Sequence, residues 1–193
     1  MDTLIGIAGK DFVLIACDQT APYHHFRLDD EHDKILEIDS NKLLGFAGDL
    51  GDSNLFGEFV RKNVHLYRYL NSSALGTQAT ANFTRNELAV ALRRQPFQVD
   101  LLLAGMDRDG PALYWIDYLA SMVTTNKAAQ GVGAFFLYGI LDHHYSEDLT
   151  EEDALSIINL CAAELKKRFI VAQYDFLIKI IDKNGLRQIK ISV

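Results

Sequence analysis

Short apolar runs open the chain. Leu4–Ala8 and Phe12–Cys17 flank Gly9-Lys10, a two-residue hairpin signal. A polar stretch from Asp18 to Asp33 follows, then Lys34–Ile38 and Leu43–Ala47, joined by the turn-like Asp39-Ser40-Asn41-Lys42. These runs predict four early strands. The period then changes: Leu55, Phe56, Phe59, Val60, Leu66, Tyr67 and Leu70 recur at helical spacing behind Asp52-Ser53, the expected N-cap. Gly76-Thr77 interrupts, and Ala79, Phe83, Leu88, Ala91 and Leu92 predict a second helix ending before Pro96. Strands return at Val99–Met106, Leu113–Tyr118 and Met122–Thr124, the first two around the turn Asp107-Arg108-Asp109-Gly110-Pro111. Helices are expected over Gly133–Tyr145 and Thr150–Phe169, the latter opening on Thr150-Glu151-Glu152-Asp153, close to a capping box. Phe176–Asp182 and Leu186–Ser192 close the chain around Lys183-Asn184-Gly185, a strong hairpin signal.

Strands and helices therefore come in blocks, which disfavours a doubly wound parallel sheet. Phe12–Cys17 and Leu101–Ala104 are apolar on both alternations, so both faces of their sheets need cover. Two sheets packed together, with a helix pair outside each, meet that need. The expected fold is α/β of the α+β kind, a four-layer αββα sandwich of two antiparallel sheets between two helix layers.

Composition narrows the function classes. The 193 residues suit one domain spanning 1–193, large enough to bury roughly 70% of its unfolded surface. A net charge of −7 argues against binding nucleic acid or an anionic membrane. The basic cluster Lys166-Lys167-Arg168 falls inside a helical pattern and reads as a solvated face. Cys17 and Cys161 lie in apolar runs with no ligand spacing, which predicts free thiols in a reducing compartment. No apolar run reaches membrane-spanning length, and no signal peptide is expected. His24, His25 and His32 lie among Asp29, Asp30, Glu31 and Asp33, but this spacing fits no zinc or calcium signature and reads as a partner-facing loop. His143-His144 closes a predicted helix, where charge would favour the dipole. No Gly-x-Ser-x-Gly elbow is present, and Gly48-Asp49-Leu50-Gly51 is no phosphate loop.

A set of words in fixed order is more specific. Glu31-His32-Asp33-Lys34, Phe46-Ala47-Gly48-Asp49-Leu50-Gly51-Asp52 and Asn63-Val64-His65-Leu66-Tyr67 come first. Leu101-Leu102-Leu103-Ala104-Gly105, Gly110-Pro111-Ala112-Leu113-Tyr114, Ile116-Asp117-Tyr118-Leu119 and Ile181-Asp182-Lys183-Asn184-Gly185 follow. In these words and their spacing the chain resembles proteasome β subunits of the N-terminal-nucleophile hydrolase fold, along essentially its whole length. Among them it resembles the non-catalytic subunits at the beta-4 position of the eukaryotic 20S core, called beta type 2 or type 4 in different schemes.

In catalytic members of that family an N-terminal threonine is the nucleophile and its own amine the base. An aspartate sixteen positions on, a lysine sixteen further, and an oxyanion-binding glycine amide complete the site. The resemblance places Asp18 on the aspartate, Lys34 on the lysine and Gly48 on the glycine, and puts Asp2 where the nucleophile belongs. A carboxylate cannot act as the threonine does, and a methionine followed by aspartate is expected to stay in place. The family's Gly-Ser-Gly reads Gly131-Val132-Gly133 here, and its Asp-x-x-Ser-Gly-Gly has no counterpart around Phe169–Phe176. The alternative is an active threonine protease using Thr3 after loss of Met1-Asp2. Its spacing to Asp18 is one residue short, and a one-residue slip turns a strand side chain to the other face.

The resemblance thus implies a non-catalytic structural subunit of the 20S β-ring, without cofactor or metal, serving ATP/ubiquitin-dependent protein degradation in cytoplasm and nucleus. Its implied partners are neighbouring β subunits, the α-ring and a second copy of itself across the two-fold axis between rings. Asp2, Asp18, Lys34 and Gly48 remain as relic positions, with an Asp18–Lys34 ion pair and a tight turn at Gly48 as their structural roles. The loop Pro22–Asp33 is the region expected to shape a neighbour's substrate pocket. Tyr67 and Tyr69 are read as core packing, with interface anchoring as the alternative.

Overall fold

Why so many strands are apolar on both faces is clear from the computed structural model, which describes residues 2–23, 26–169 and 175–192. Strands β1 (Thr3–Ala8) and β2 (Phe12–Asp18) form the first hairpin, followed by the short pair β3 (Ala21–Tyr23) and β4 (Phe26–Asp29). Next come β5 (Ile35–Asp39), β6 (Lys42–Gly48), α1 (Leu50–Asn71), α2 (Thr77–Leu92), β7 (Val99–Asp107), β8 (Gly110–Ile116), β9 (Met122–Thr125) and β10 (Lys127–Gly131). Helices α3 (Ala134–His144) and α4 (Glu151–Arg168) and strands β11 (Asp175–Asp182) and β12 (Gly185–Ser192) complete the chain. One five-stranded sheet runs β10-β1-β2-β11-β12 and the other β5-β6-β7-β8-β9, and every pairing is antiparallel.

The pleat sorts side chains into three buried layers. From β2, Val13, Ile15 and Cys17 enter the layer between the sheets, while Phe12, Leu14 and Ala16 pack beneath α3 and α4. From β7, Leu102 and Ala104 face the other sheet, and Val99, Leu101 and Leu103 meet α1 and α2. The fold is the expected αββα sandwich.

Several local expectations are corrected. The polar stretch before Lys34 contains β3 and β4, and Lys127–Gly131 forms β10. Both were missed because Pro, Lys and Gln break the apolar pattern. The cap of α1 lies three residues earlier than expected, at Asp49 rather than Asp52-Ser53, its side chain accepting the Asp52 amide at 3.0 Å. The capping box at α4 holds: the Thr150 side chain accepts the Asp153 amide, and Asp153 reaches back. Tyr69 is 84% exposed and Tyr67 40%, so neither packs in the core as expected. The inward stripe of α1 is Phe56, Val60 and Val64, whereas Leu55, Leu66 and Leu70 of the predicted periodicity face outward. One sheet covers only a narrow arc of a helix that is apolar over a wider one.

Candidate functional site

The antiparallel register of β1 on β2 sets Leu4 opposite Cys17, which brings the ends of both strands, Asp2-Thr3 and Asp18, together. The Thr3 amide donates to Asp18 Oδ1 at 2.7 Å. Lys34, just before β5, reaches across from the second sheet. Its Nζ donates to Asp18 Oδ2 at 2.8 Å and to Asp2 Oδ1 at 2.7 Å. The other oxygen of Asp2 accepts the Gly48 amide at 2.9 Å. All four predicted positions, Asp2, Asp18, Lys34 and Gly48, thus form one connected cluster.

Backbone geometry holds it in place. Gly48 has φ +147°, and a Cβ there would lie 2.1 Å from the Gln98 carbonyl oxygen. Only glycine lets the end of β6 turn into α1 with its amide free to point at Asp2. Gln98 fastens the same junction, accepting the Asp49 amide at 2.9 Å and donating its own to Asp52 at 2.8 Å. Gly131, φ +82°, lets β10 approach the Asp2 carbonyl, where a Cβ would fall 2.1 Å from the oxygen. That carbonyl accepts the Val132 amide at 3.1 Å.

Two carboxylates share one ammonium. Burial works against the Lys34 charge, but the attraction of Asp18 and Asp2 outweighs it and holds the group above its ordinary range. Burial pushes the Asp18 carboxyl up; Lys34 and the Thr3 amide pull it down by less, and the Asp2 charge adds to the rise. Cys17, beside this cluster, and Cys161 are both buried thiols pushed up to about 12, so neither is a nucleophile near neutrality.

The Thr3 hydroxyl lies outside this cluster, which the residue joins only through its backbone amide. Thr3 is fully buried, paired with Gly131 across β10, with its side chain against Gly133. Among the described residues, its Oγ1 has no hydrogen-bond partner. Thr3 shares the alternation of Ile5 and Ile7, which pack toward α3 and α4, as the one-residue slip predicts.

Two clefts share Asp2 and Gly48 in their walls. One, of about 290 Å³, sets Leu28, Phe46 and Leu50 against His32, Asp33 and Lys34. The other, of about 660 Å³, runs toward α3 past Asp100, Trp115, Val132, Phe135 and Tyr138. His32 is in the first cleft, while His24 and His25 lie outside the described residues, as does most of the segment searched for Asp-x-x-Ser-Gly-Gly. Among the described residues, no three His, Cys, Asp or Glu side chains are grouped to hold a metal. His143 and His144 occupy the last turn of α3, and Lys166, Lys167 and Arg168 that of α4, each favourable to the dipole when charged.

Residue reasoning on the sequence missed Lys179. It is 4% exposed, and its Nζ meets Asp33 Oδ2 at 2.7 Å, the Ile35 carbonyl at 2.8 Å and Glu37 Oε1 at 3.1 Å. This second ammonium clamps the two sheets directly beside Lys34. A lone cation within the apolar run Phe176–Ile181 was the available signal.

Comparison with known proteins agrees with this architecture. The family model described as "Proteasome subunit" matches residues 1–181. The chain is 43% identical to proteasome subunit beta type-2 of Oryza sativa subsp. japonica, over 97% of this chain and 89% of that protein. It is 39% identical to a probable proteasome subunit beta type-4 of Schizosaccharomyces pombe, over 99% and 100%. Against proteasome subunit beta type-4 of Saccharomyces cerevisiae the identity is 37%, over 98% and 97%. With its αββα sandwich, its Asp18–Lys34–Gly48 cluster and these full-length matches, the chain belongs to the proteasome subunit family, as a β subunit.

Proposed function

We propose that this β subunit is a non-catalytic member of the 20S core ring, building its wall and contacts rather than cutting peptides. The observation that carries the reading is the Asp2 carboxylate, held between Lys34 Nζ at 2.7 Å and the Gly48 amide at 2.9 Å. In the family's pattern that ammonium activates the nucleophile and that amide receives the oxyanion. Here an internal anion engages both. The competing nucleophile, Thr3, is buried in β1 without access to either donor.

An assembly role has its own support. Leu55, Leu66, Tyr69 and Leu70 of α1 are 52% or more exposed, a broad apolar face of the kind that marks a partner surface. The partners in this reading are β neighbours on either side, the α-ring, and a second copy of the chain across the two-fold axis. The loop Pro22–Asp33, of which Leu28, His32 and Asp33 line the first cleft, is the part of the surface assigned to shaping a neighbour's substrate pocket, and the particle's place is the cytoplasm and nucleus.

The test uses the assembled particle from the source organism. An electrophilic probe that captures N-terminal threonines should label other β subunits and leave this chain unlabelled, and Thr3→Ala should leave every peptidase activity of the particle unchanged. Covalent capture at Thr3, or a peptidase activity lost in Thr3→Ala, would overturn the reading.

A further inference from the structure

The larger cleft beside Asp2 has a chemistry unused by the relic site. Its outer wall is aromatic: Phe135, at the start of α3, is 86% exposed, and Trp115 and Tyr138 line the same space. Its floor carries Asp100, a half-buried carboxylate on β7. Asp100 Oδ1 accepts the Tyr118 amide at 3.0 Å. Asp117 adds a second negative charge nearby, its own Oδ1 engaged by the Ser121 amide at 2.7 Å. Among the described residues neither acid has an ion-pair partner. Burial, and then the Asp117 charge, push the Asp100 carboxyl up, the mark of an anion short of compensation.

We propose that this cleft is a socket for a lysine or arginine side chain presented by an apolar-flanked segment of another subunit of the particle. Charge complementarity selects the occupant. A cation over aromatic faces is attracted by their quadrupoles, and its alkyl stem packs on the exposed ring of Phe135. Its head reaches Asp100, where it offsets the charges of both acids. An apolar segment alone would cover Phe135 but bury Asp100 unpaired, which is costly. The proposal needs the chain to work inside a multi-subunit particle and is independent of whether it cleaves peptides.

Photo-crosslinking in the intact particle tests it. With Phe135→p-benzoylphenylalanine, illumination should join this chain to another subunit, at a segment adjacent to a Lys or Arg. Adding Asp100→Lys should lower the crosslink yield about tenfold, equivalent to ~1.4 kcal/mol, and Asp100→Asn should lower it less. Reversing the mapped basic residue to Glu should restore the yield to the Asp100→Lys particle. Crosslinks confined to this chain, crosslinks to a segment without a basic residue, or an unchanged yield in both Asp100 variants would overturn the socket. Particle composition on the same gel separates the two levels: a wild-type chain absent from any multi-subunit particle would sink the ring-subunit reading as well.

Discussion

Lys34→Met asks whether the Asp2–Asp18–Lys34 cluster is a structural device. Methionine keeps much of the stem volume and removes the charge. The Lys34 side chain is 6% exposed and that of Asp18 is 0%, so solvent reaches Asp18 too poorly to replace the lost ammonium. Asp18 is left with the Thr3 amide and faces Asp2 without a cation between them. Breaking a buried pair from one side costs about 3–5 kcal/mol. For a chain of this length that lowers Tm by about 6–20 °C. The sign of the pH dependence follows from Asp18. Its carboxyl already stands above the ordinary value in the fold, so its ionised form weakens the native state as pH rises. Without Lys34 that penalty grows. The variant's deficit is therefore full near neutrality and shrinks as pH falls toward about 4, where the unfolded chain also holds the proton. At the other extreme, the raised Lys34 contributes stability below its unfolded value that is lost as pH climbs through the folded one, so the gap closes again in strong alkali. Thermal denaturation followed by circular dichroism, across pH, reads all of this. The double variant Asp18→Asn/Lys34→Met should recover more than half of the loss. A fall below about 3 °C, roughly 1 kcal/mol, or a deficit equal at pH 7 and pH 5, would refute the reasoning.

Two further predictions concern the backbone around the site and a helix remote from it. Gly48→Ala places a Cβ 2.1 Å from the Gln98 oxygen at φ +147°, and should cost about 2 kcal/mol or more in urea denaturation; a neutral result would mean that the turn resets freely. Thr150→Ala removes the hydroxyl that caps Asp153 and should cost about 1 kcal/mol, with Thr150→Ser close to wild type in the same assay.

The αββα order was legible because each element carries its own period. Phe12–Cys17, apolar at every position, demanded cover on both faces, and it supplies side chains to two of the three buried layers. The α4 capping box and the hairpin at Lys183-Asn184-Gly185 are local chemistry, and both stand where expected, with Lys183-Asn184 as the turn and Gly185 opening β12. The elements that escaped are β3, β4 and β10: β3 and β4 are short strands that pair only with each other inside a polar stretch, and β10 is a strand because Gln130 and Ala129 pair with the distant Leu4 and Ile5. Tyr67 and Tyr69 were misjudged for a related reason, since periodicity marks which residues of α1 are apolar but not how wide an arc the sheet covers.

At the site, the family resemblance placed Asp2, Asp18, Lys34 and Gly48 on the positions of a known pattern, with a carboxylate at the position expected of the nucleophile. Only the folded chain decided what that carboxylate does. Asp2 and Gly48 are 46 positions apart, and Lys34 and Lys179 reach their partners across the space between two sheets. The contacts of a charged side chain depend on which strands its neighbours join. The alternation of apolar residues encodes the direction in which a strand faces, and so determined the layers. It carries no information about the length or charge of the side chain met on the facing sheet. The closure of the Lys34 and Gly48 donors by Asp2, the sheet clamp at Lys179 and the uncompensated Asp100 were therefore decided by tertiary structure alone.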